Sequence, residues 1–592
     1  MTDQLRPRVE PHEVMSQEVK SQEPWRQRLV RTLLYGRDVD RTAKARARIG
    51  LAIIAFAAVY AIIGGRLVMF AVGSDGPSAR RAAQQDAIAT ARPDIVDRNG
   101  AVLATDVKTP SLFAEPRRLI DKDEAIELLT ATLPDLDTSE VRDRLMSRKG
   151  FVWLKREMTP KQQQDIHRLG LPGIGFLREN KRVYPTGNEV AHLIGLVNID
   201  NQGIAGMEKW LDNQGLADLH RAGFATDRLQ RPVELSVDLR VEHALRDELL
   251  KAKEKFKTKA ASGLVVNVRT GEIIAMVSLP DFDPNNPKEA HDPDRINRLT
   301  TGVYEMGSTF KAFTLAMALD TGKYDLNSLW DARGPLHYGK FAIHDDEPKG
   351  RFLTMKEVFT FSSNVGAARI ALTQGVEGHK AFLRKMGQFD RLRTELPESA
   401  SPILPKRWSE LNTITIAFGH GMAVAPLQGV MGVSALVNGG YLIPPTFMKR
   451  TEAEAMQVAK RVIKPETSEK MRYLMRLNAE IGTARKADVK GYYIGGKTGT
   501  AEKVINGRYA KKKVLTLFTA VIPADKPKYQ VLIMLDEPQP LKETYGFITS
   551  GWNAVPTAGN VISRIGPLLG IEPRFDLPPS DRQILAASRL TQ

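Results

Sequence analysis

The chain contains no cysteine, which excludes disulfides, thiol catalysis and thiolate metal sites. It also lacks a Gly-x-Ser-x-Gly elbow, so its 10 histidines have no serine partner of the kind a Ser/His/Asp triad uses. His420, within Phe418-Gly419-His420-Gly421, is the one histidine weighed as a rival base. Acidic runs are sparse, and Asp345-Asp346-Glu347 lacks the glycine and ligand spacing of a calcium loop. It reads as a solvated loop, and no metal or organic cofactor is expected. Nucleic-acid-binding motifs are missing too, although 85 Lys and Arg against 69 Asp and Glu leave a formal charge of +16. Basic residues dispersed in this way suit an anionic membrane surface or an anionic wall polymer better than a nucleic acid. Absence of cysteine fits a protein of the oxidising cell envelope.

What is present begins with length. A chain of 592 residues exceeds one core, because cores stop growing near ~250–300 residues. Hydrophobic content of 42% and charged content of 26% are those of globular protein, so disorder is expected only at the ends. Ile49 to Gly65 is apolar without interruption and, after Arg66, the run resumes through Val72. As one helix of about 36 Å it crosses a ~30 Å hydrocarbon core, with Arg66 snorkelling to an interface. The long leader before it, and the lack of a clean small-x-small site after it, argue for an uncleaved anchor rather than a signal peptide. Arg26, Arg28, Arg31, Arg37, Arg41, Lys44, Arg46 and Arg48 precede the span, and Gly73-Ser74-Asp75-Gly76-Pro77-Ser78 follows it. That asymmetry keeps residues 1–48 as a basic cytoplasmic tail and exports everything after the 49–72 helix.

The exported part divides near Leu229-Gln230-Arg231-Pro232 into a mixed α/β module, 73–229, and a second module, 230–572, with a tail from 573 to 592. In the first, Arg92 to Gly100 reads as a strand entering an Asn99-Gly100 turn. Arg182-Val183-Tyr184-Pro185 through His192, Gly195, Gly203, Gly206 and Glu208 is rich in turn glycines among paired charges. His192 reads as a hydrogen-bonded structural histidine. The second opens with an amphipathic run, Arg240 to Lys255. Leu264 to Val268 and Glu272 to Val277 then alternate around Arg269-Thr270-Gly271 as a hairpin. Tyr492 to Thr500, Val514 to Ile522 and Tyr529 to Asp536 are three more strands, with Asn506-Gly507 in the first connection, and a closing helix is expected from Pro556 to Leu569. Two strands, a long mainly helical insert, three strands and a helix predict an α+β fold: an antiparallel five-stranded sheet covered by helices.

Within the insert, Ser308-Thr309-Phe310-Lys311 opens the apolar run Phe310 to Leu319, and at this spacing the hydroxyl and the amine share a helix face. A deprotonated lysine can take the serine's proton, which permits nucleophilic catalysis without histidine. To work near neutrality its pKa must fall by about 3 units, roughly 4 kcal/mol. Burial against Phe310 and Phe313 and a second cation, for which Lys497 is the candidate, would supply that. Ser362-Ser363-Asn364 precedes a helix expected over Asn364 to Leu372, where a cap is the bland alternative. Lys497-Thr498-Gly499-Thr500 follows Gly495-Gly496, glycines that let a strand lie against a ligand backbone, with threonine hydroxyls for a carboxylate.

These three signatures occur once each, and in their order and wide spacing the chain resembles the penicillin-recognising serine transferases. The stretch Tyr304-Glu305-Met306-Gly307-Ser308 extends the likeness, although the family usually has proline where Met306 stands, a departure in the lead-in loop that touches no reacting group. With no glycosyltransferase-like module before residue 230, the chain resembles class B penicillin-binding proteins. It is most similar to the FtsI-type enzymes of the division septum, in which the first exported module is a pedestal and the second a transpeptidase domain. The likeness implies peptidoglycan D,D-transpeptidation on D-Ala-D-Ala stem peptides. Ser308 is the implied nucleophile, Lys311 its base and Ser362 the proton relay. Asn364 and Thr500 would hold the peptide, and Lys497, Thr498 and Gly499 would form the carboxylate-binding strand. Backbone N–H groups of Ser308 and Thr500 would make the oxyanion hole. It further implies acylation by β-lactams, a single-pass inner-membrane location with a periplasmic catalytic domain, and partnership with an FtsW-type glycan polymerase and other division proteins. Small residues Ala55, Ala57, Ala58, Gly64 and Gly65 in the span would permit close helix approach. An elongation-type transpeptidase, a β-lactam sensor or β-lactamase, and a catalytically silent division scaffold are the alternatives.

Overall fold

The computed structural model describes Trp25 and residues 41–72, 92–214, 231–505 and 508–575. Most of the basic tail, the stretch from Gly73 to Ser78, the division at Leu229-Gln230, the Asn506-Gly507 turn and most of the C-terminal tail lie outside them. Helix α1 runs from Arg41 to Val72, eight residues ahead of the expected start, because alanine, arginine and lysine are good helix formers. Its stretch Arg48–Met69 is long and apolar enough to cross a membrane, and none of it is buried.

The pedestal is built on a mixed sheet. Strands β1 (Ile95–Val96), β2 (Val102–Ala114), β3 (Val152–Lys155) and β4 (Ile174–Val183) pair antiparallel, with β2 at the centre. A fifth strand, β5 (Val233–Glu234), pairs parallel with β1. Hydrogen bonding therefore runs across residue 230. Beneath the sheet, Arg182 is fully buried and pairs with Glu208 at 2.7 Å and Asp106 at 3.1 Å. Arg92 meets the other oxygen of Glu208 at 2.7 Å. Each buried charge thus has opposite charges around it, the condition under which burial is tolerated.

Next come α2 (Leu239–Lys255), β6 (Ala260–Asn267) and β7 (Ile273–Leu279). The long insert contains α3 (Lys311–Asp320) and α4 (Asn364–Leu372). After it stand β8 (Gly495–Ile505), β9 (Arg508–Ile522), β10 (Tyr529–Asp536) and the closing helix α5 (Ala554–Leu568). The sheet is five-stranded and antiparallel throughout, as expected, and its order is β8-β9-β10-β6-β7. Several boundaries differ: β6 begins four residues early, at Ala260, β8 runs on to Ile505, and β9 begins at Arg508 rather than Val514. Strand β8 starts at Gly495 rather than Tyr492, and α5 starts before Pro556, which is tolerated because first-turn N–H groups need no helical acceptor. One face of the sheet packs on α2 and α5. The other packs on the insert helices, in a core that continues into Ile95, Leu103, Tyr184 and Leu193 of the pedestal. His192 is edge-on to Phe282, but its Nε2 has no hydrogen-bond partner and burial lowers its pKa to about 4. It is a packed, neutral residue rather than a fully hydrogen-bonded one.

Candidate active site

Ser308 sits in a 3-10 turn, Gly307–Phe310, that runs directly into α3. Nine of the ten residues of α3 are buried, since its sequence is apolar on every side and only the core can accept it. Lys311 is carried in with it, fully buried, and its head finds partners only in the site. Its Nζ lies 3.0 Å from Ser308 Oγ, 3.0 Å from Ser362 Oγ and 2.7 Å from Asn364 Oδ1, and also donates to the Ser362 carbonyl. Burial pulls its pKa down to about 7, against the opposing pull of Asp346 and Asp345. A lysine so placed loses its proton near neutrality, the condition for a general base.

Two backbones close on the nucleophile. Gly307 has φ +50°, and a Cβ there would stand 2.7 Å from the Thr500 carbonyl oxygen. A Cβ on Gly419 would fall on the Gly307 carbonyl. Only glycine fits both positions, and the fit brings edge strand β8 against the turn that bears Ser308.

The second motif heads α4. Ser363 is its N-cap, accepting from Gly366 N at 2.9 Å, so the cap expected from sequence and the functional placement coexist. Ser362, just outside, has φ +58°, which turns its hydroxyl inward between two lysines: 3.0 Å to Lys311 Nζ and 2.9 Å to Lys497 Nζ. Asn364 Nδ2 donates to the His344 carbonyl at 3.0 Å.

The third motif lies on β8, the sheet's edge, where backbone groups on one side lack a neighbouring strand. Lys497 pairs with Thr519 in register and Thr500 with Thr516. Thr498 Oγ1 is 2.7 Å from Thr483 Oγ1, and Thr500 Oγ1 accepts from Ser550 N at 3.2 Å. A Cβ on Gly499 would stand 2.6 Å from the Met306 carbonyl oxygen, so this glycine is needed for contact between strand and turn. Lys497 is fully buried and holds only neutral oxygens, those of Ser362 and Thr498. Burial, then the proximity of Lys311, push its pKa well below the lysine range. A charged Lys497 therefore needs an anionic partner, which a substrate carboxylate would supply.

All of the sequence-predicted residues thus meet: Ser308, Lys311, Ser362, Asn364 and Lys497 in one hydrogen-bonded set, with Thr498, Gly499 and Thr500 on the strand beside it. His420 does not join them by hydrogen bond. Its ring faces Phe418 and Tyr509, its Nδ1 has no partner, and burial lowers its pKa to about 4. Two residues escaped the sequence reading. Asp345, assigned to a solvated loop, is half-buried and accepts from Ser363 Oγ at 2.7 Å and Val365 N at 2.9 Å. Glu305 accepts from Gly421 N at 2.7 Å and Tyr509 OH at 3.1 Å, tying the turn before Ser308 to the loop that carries His420. The signal available for Asp345 was its place in an acidic run that had no metal-ligand spacing.

Comparison with known proteins identifies the family. The signature of the penicillin binding protein transpeptidase domain matches residues 261–551, and that of the penicillin-binding protein dimerisation domain matches residues 87–215. The chain is 40% identical over 496 residues to the probable peptidoglycan D,D-transpeptidase FtsI of Caulobacter vibrioides, covering 82% of this chain and 83% of that one. It is 33% identical to the probable peptidoglycan D,D-transpeptidase PenA of Neisseria gonorrhoeae, over 83% of this chain and 87% of that one. Among solved structures, penicillin-binding protein 3 of Mycobacterium tuberculosis, complexed with aztreonam, superposes with a TM-score of 0.63 at 22% identity, covering 83% of this chain and 98% of that one. That likeness establishes the fold.

Proposed function

The chain belongs to the class B penicillin-binding proteins of the FtsI type, and on that premise we propose that it cross-links peptidoglycan in the division septum through an acyl-enzyme on Ser308. The observation that carries the assignment is the placement of Lys311 Nζ at 3.0 Å from both the Ser308 and the Ser362 hydroxyls. In the first half-reaction neutral Lys311 takes the Ser308 proton as Oγ attacks the carbonyl of the penultimate D-alanine. The tetrahedral oxyanion is met by the N–H groups of Ser308 and Thr500, and losing one such donor typically costs ~10²–10³ in rate. Ser362 hands its proton to the departing amine and receives in exchange the one Lys311 took, at 3.0 Å, so Lys311 is neutral again as the terminal D-alanine leaves. In the second half, an amine from a neighbouring stem attacks the ester and Ser308 recovers its proton. Asn364 holds the peptide, while Lys497, Thr498 and Thr500 take the terminal carboxylate, with Gly499 allowing strand and turn to touch. β-Lactams would acylate the same serine.

The domain limits proposed are a tail to residue 48, an anchor over 49–72, the pedestal to 229 and the transpeptidase domain over 230–572. We place the anchor in the inner membrane, basic tail in the cytoplasm, on the strength of its flanking charges. Partnership with an FtsW-type polymerase follows from need: a transpeptidase without its own polymerase must be held near nascent strands, and tethering raises effective concentration to roughly millimolar.

The test is a D-alanyl-D-alanine stem-peptide substrate incubated with the full chain in detergent and a D-amino acid as acceptor. Exchange of the terminal residue, lost on prior penicillin treatment, is expected. Exchange that penicillin leaves untouched would overturn the assignment, and rapid hydrolysis of the penicillin itself would point to a β-lactamase.

A further inference from the structure

Ser362 Oγ is shared by two buried lysines, at 3.0 Å from Lys311 Nζ and 2.9 Å from Lys497 Nζ. Two ammonium groups so close and so dry repel strongly, so the unliganded site favours a single proton. The acceptors decide where it rests. Lys311 has four oxygens, on Ser308, Asn364 and twice on Ser362, and two carboxylates, Asp345 and Asp346, approach on the loop that follows strand Phe341–Ile343. Lys497 has Ser362 Oγ and two longer contacts to Thr498, at 3.3 and 3.4 Å. The Phe359 ring lies 5.7 Å away. His420, on the loop before helix Pro426–Val437, is held neutral by burial and adds no charge. The resting proton therefore belongs on Lys311, the one lysine that must be without it to act as the base.

We propose that the anionic terminus of the acyl donor arms this site: by docking against Lys497, Thr498 and Thr500 it draws the proton from Lys311 to Lys497 through the Ser362 hydroxyl. This inference rests on the reading of the site given above. The transfer balances as a two-step exchange. Lys311 Nζ gives a proton to Ser362 Oγ while Ser362 gives its own hydroxyl proton to Lys497 Nζ, so Ser362 is unchanged and one proton has moved. Lys497 becomes the cation paired with the carboxylate, and Lys311 is left neutral at 3.0 Å from Ser308 Oγ, ready to take its proton. The substrate's carboxylate is then part of the chemistry as well as of the binding, and below about pH 7 a ligand without it meets a protonated base.

The test compares two donors on the full chain in detergent: a D-alanyl thioglycolate, whose leaving group bears a carboxylate, and its methyl ester. The limiting acylation rate at saturation is read between pH 5.5 and 8.5, which separates chemistry from affinity. Lys311 in the unarmed site titrates at about 7, so the ester's rate should fall roughly tenfold per pH unit below 7. The carboxylate donor should hold its rate to distinctly lower pH, because its Lys311 has already lost the proton. The ratio of the two rates should therefore grow about tenfold between pH 7.5 and 6. Lys497→Met, which removes the receiving nitrogen, should bring the two pH profiles together. A ratio constant with pH, or a Lys497→Met profile that keeps the separation, overturns the inference. If that variant does not fold, the donor pair on the natural chain decides alone. Failure of both donors to acylate Ser308 at any pH overturns the functional reading, and this inference with it, and is distinguished by the absence of any acyl-enzyme.

Discussion

Lys311 is charged or neutral according to a balance between burial and two nearby carboxylates, and substitutions at single residues should expose that balance. Lys311→Arg keeps length and charge but cannot lose its proton; acylation by a penicillin should drop by ~10²–10⁴, the usual worth of a general base. Measured acylation at an ordinary rate would refute a lysine base. Asp345 acts one step away, through the hydroxyl of Ser363 and the N–H of Val365. Asp345→Ala strips two charge-assisted hydrogen bonds from the head of α4, which should lower stability by about 1–3 kcal/mol and slow acylation because Ser362 and Asn364 are positioned by that turn. A thermal melt together with a labelling rate checks this, and unchanged values for both would show the contact to be idle. Why Ser308, Lys311, Ser362 and Lys497 were legible and Asp345 was not is a matter of range. The first four lie in short local patterns. Asp345 reaches its partners across 18 and 20 residues, and nothing in an acidic triplet announces which helix it will cap.

At the scale of elements, the site is a three-way junction of the Ser308 turn, the head of α4 and the edge strand β8, closed by glycines. Gly419→Ala would drive a methyl into the Gly307 carbonyl, at a residue whose own φ of +93° is already unsuited to a side chain. The turn bearing Ser308 must then shift, and a shift of about 1 Å at the reacting atom is enough to cost ~10²-fold in rate. A protein that stays folded by circular dichroism yet acylates at least tens of times more slowly is the expected outcome, and full activity would mean that the close approach is not needed. The five strands and their antiparallel class were readable from the alternation of β6, β7, β9 and β10 and from the turn residues between them, whereas the pairing of β10 with β6, distant in sequence, was not. The start of β8 was not, because Tyr492, Tyr493 and Ile494 look as strand-like as the residues that follow. Nor was the parallel pairing of β5 with β1: two-residue strands carry no periodic signal, and their partnership is fixed by the packing of whole modules.

Across the whole molecule, the pedestal and the catalytic domain share one continuous core, so perturbations should be felt jointly. Three histidines, the buried His379 and the half-buried His192 and His420, are held neutral by desolvation with pKa values of about 4. Unfolding releases them to ~6.5. The unfolded chain then binds more protons, and stability is lost as pH falls from about 6.5 toward 4. Glu242, raised by burial to about 7, works in the opposite sense, favouring the folded state below its unfolded value and weakening it as pH rises through 7. Glu305, raised by burial as well, acts in the same sense as Glu242; three histidines against these two carboxyls predict a melting temperature that falls between pH 6.5 and 4, and a flat profile in that interval would contradict the neutral assignment. The account as a whole turns on one covalent bond. Full-length protein treated with a fluorescent penicillin, digested and mapped by mass spectrometry should carry the adduct on Ser308. Ser308→Ala should carry none while melting at the same temperature; an adduct on another residue, or undiminished labelling of the variant, would contradict it.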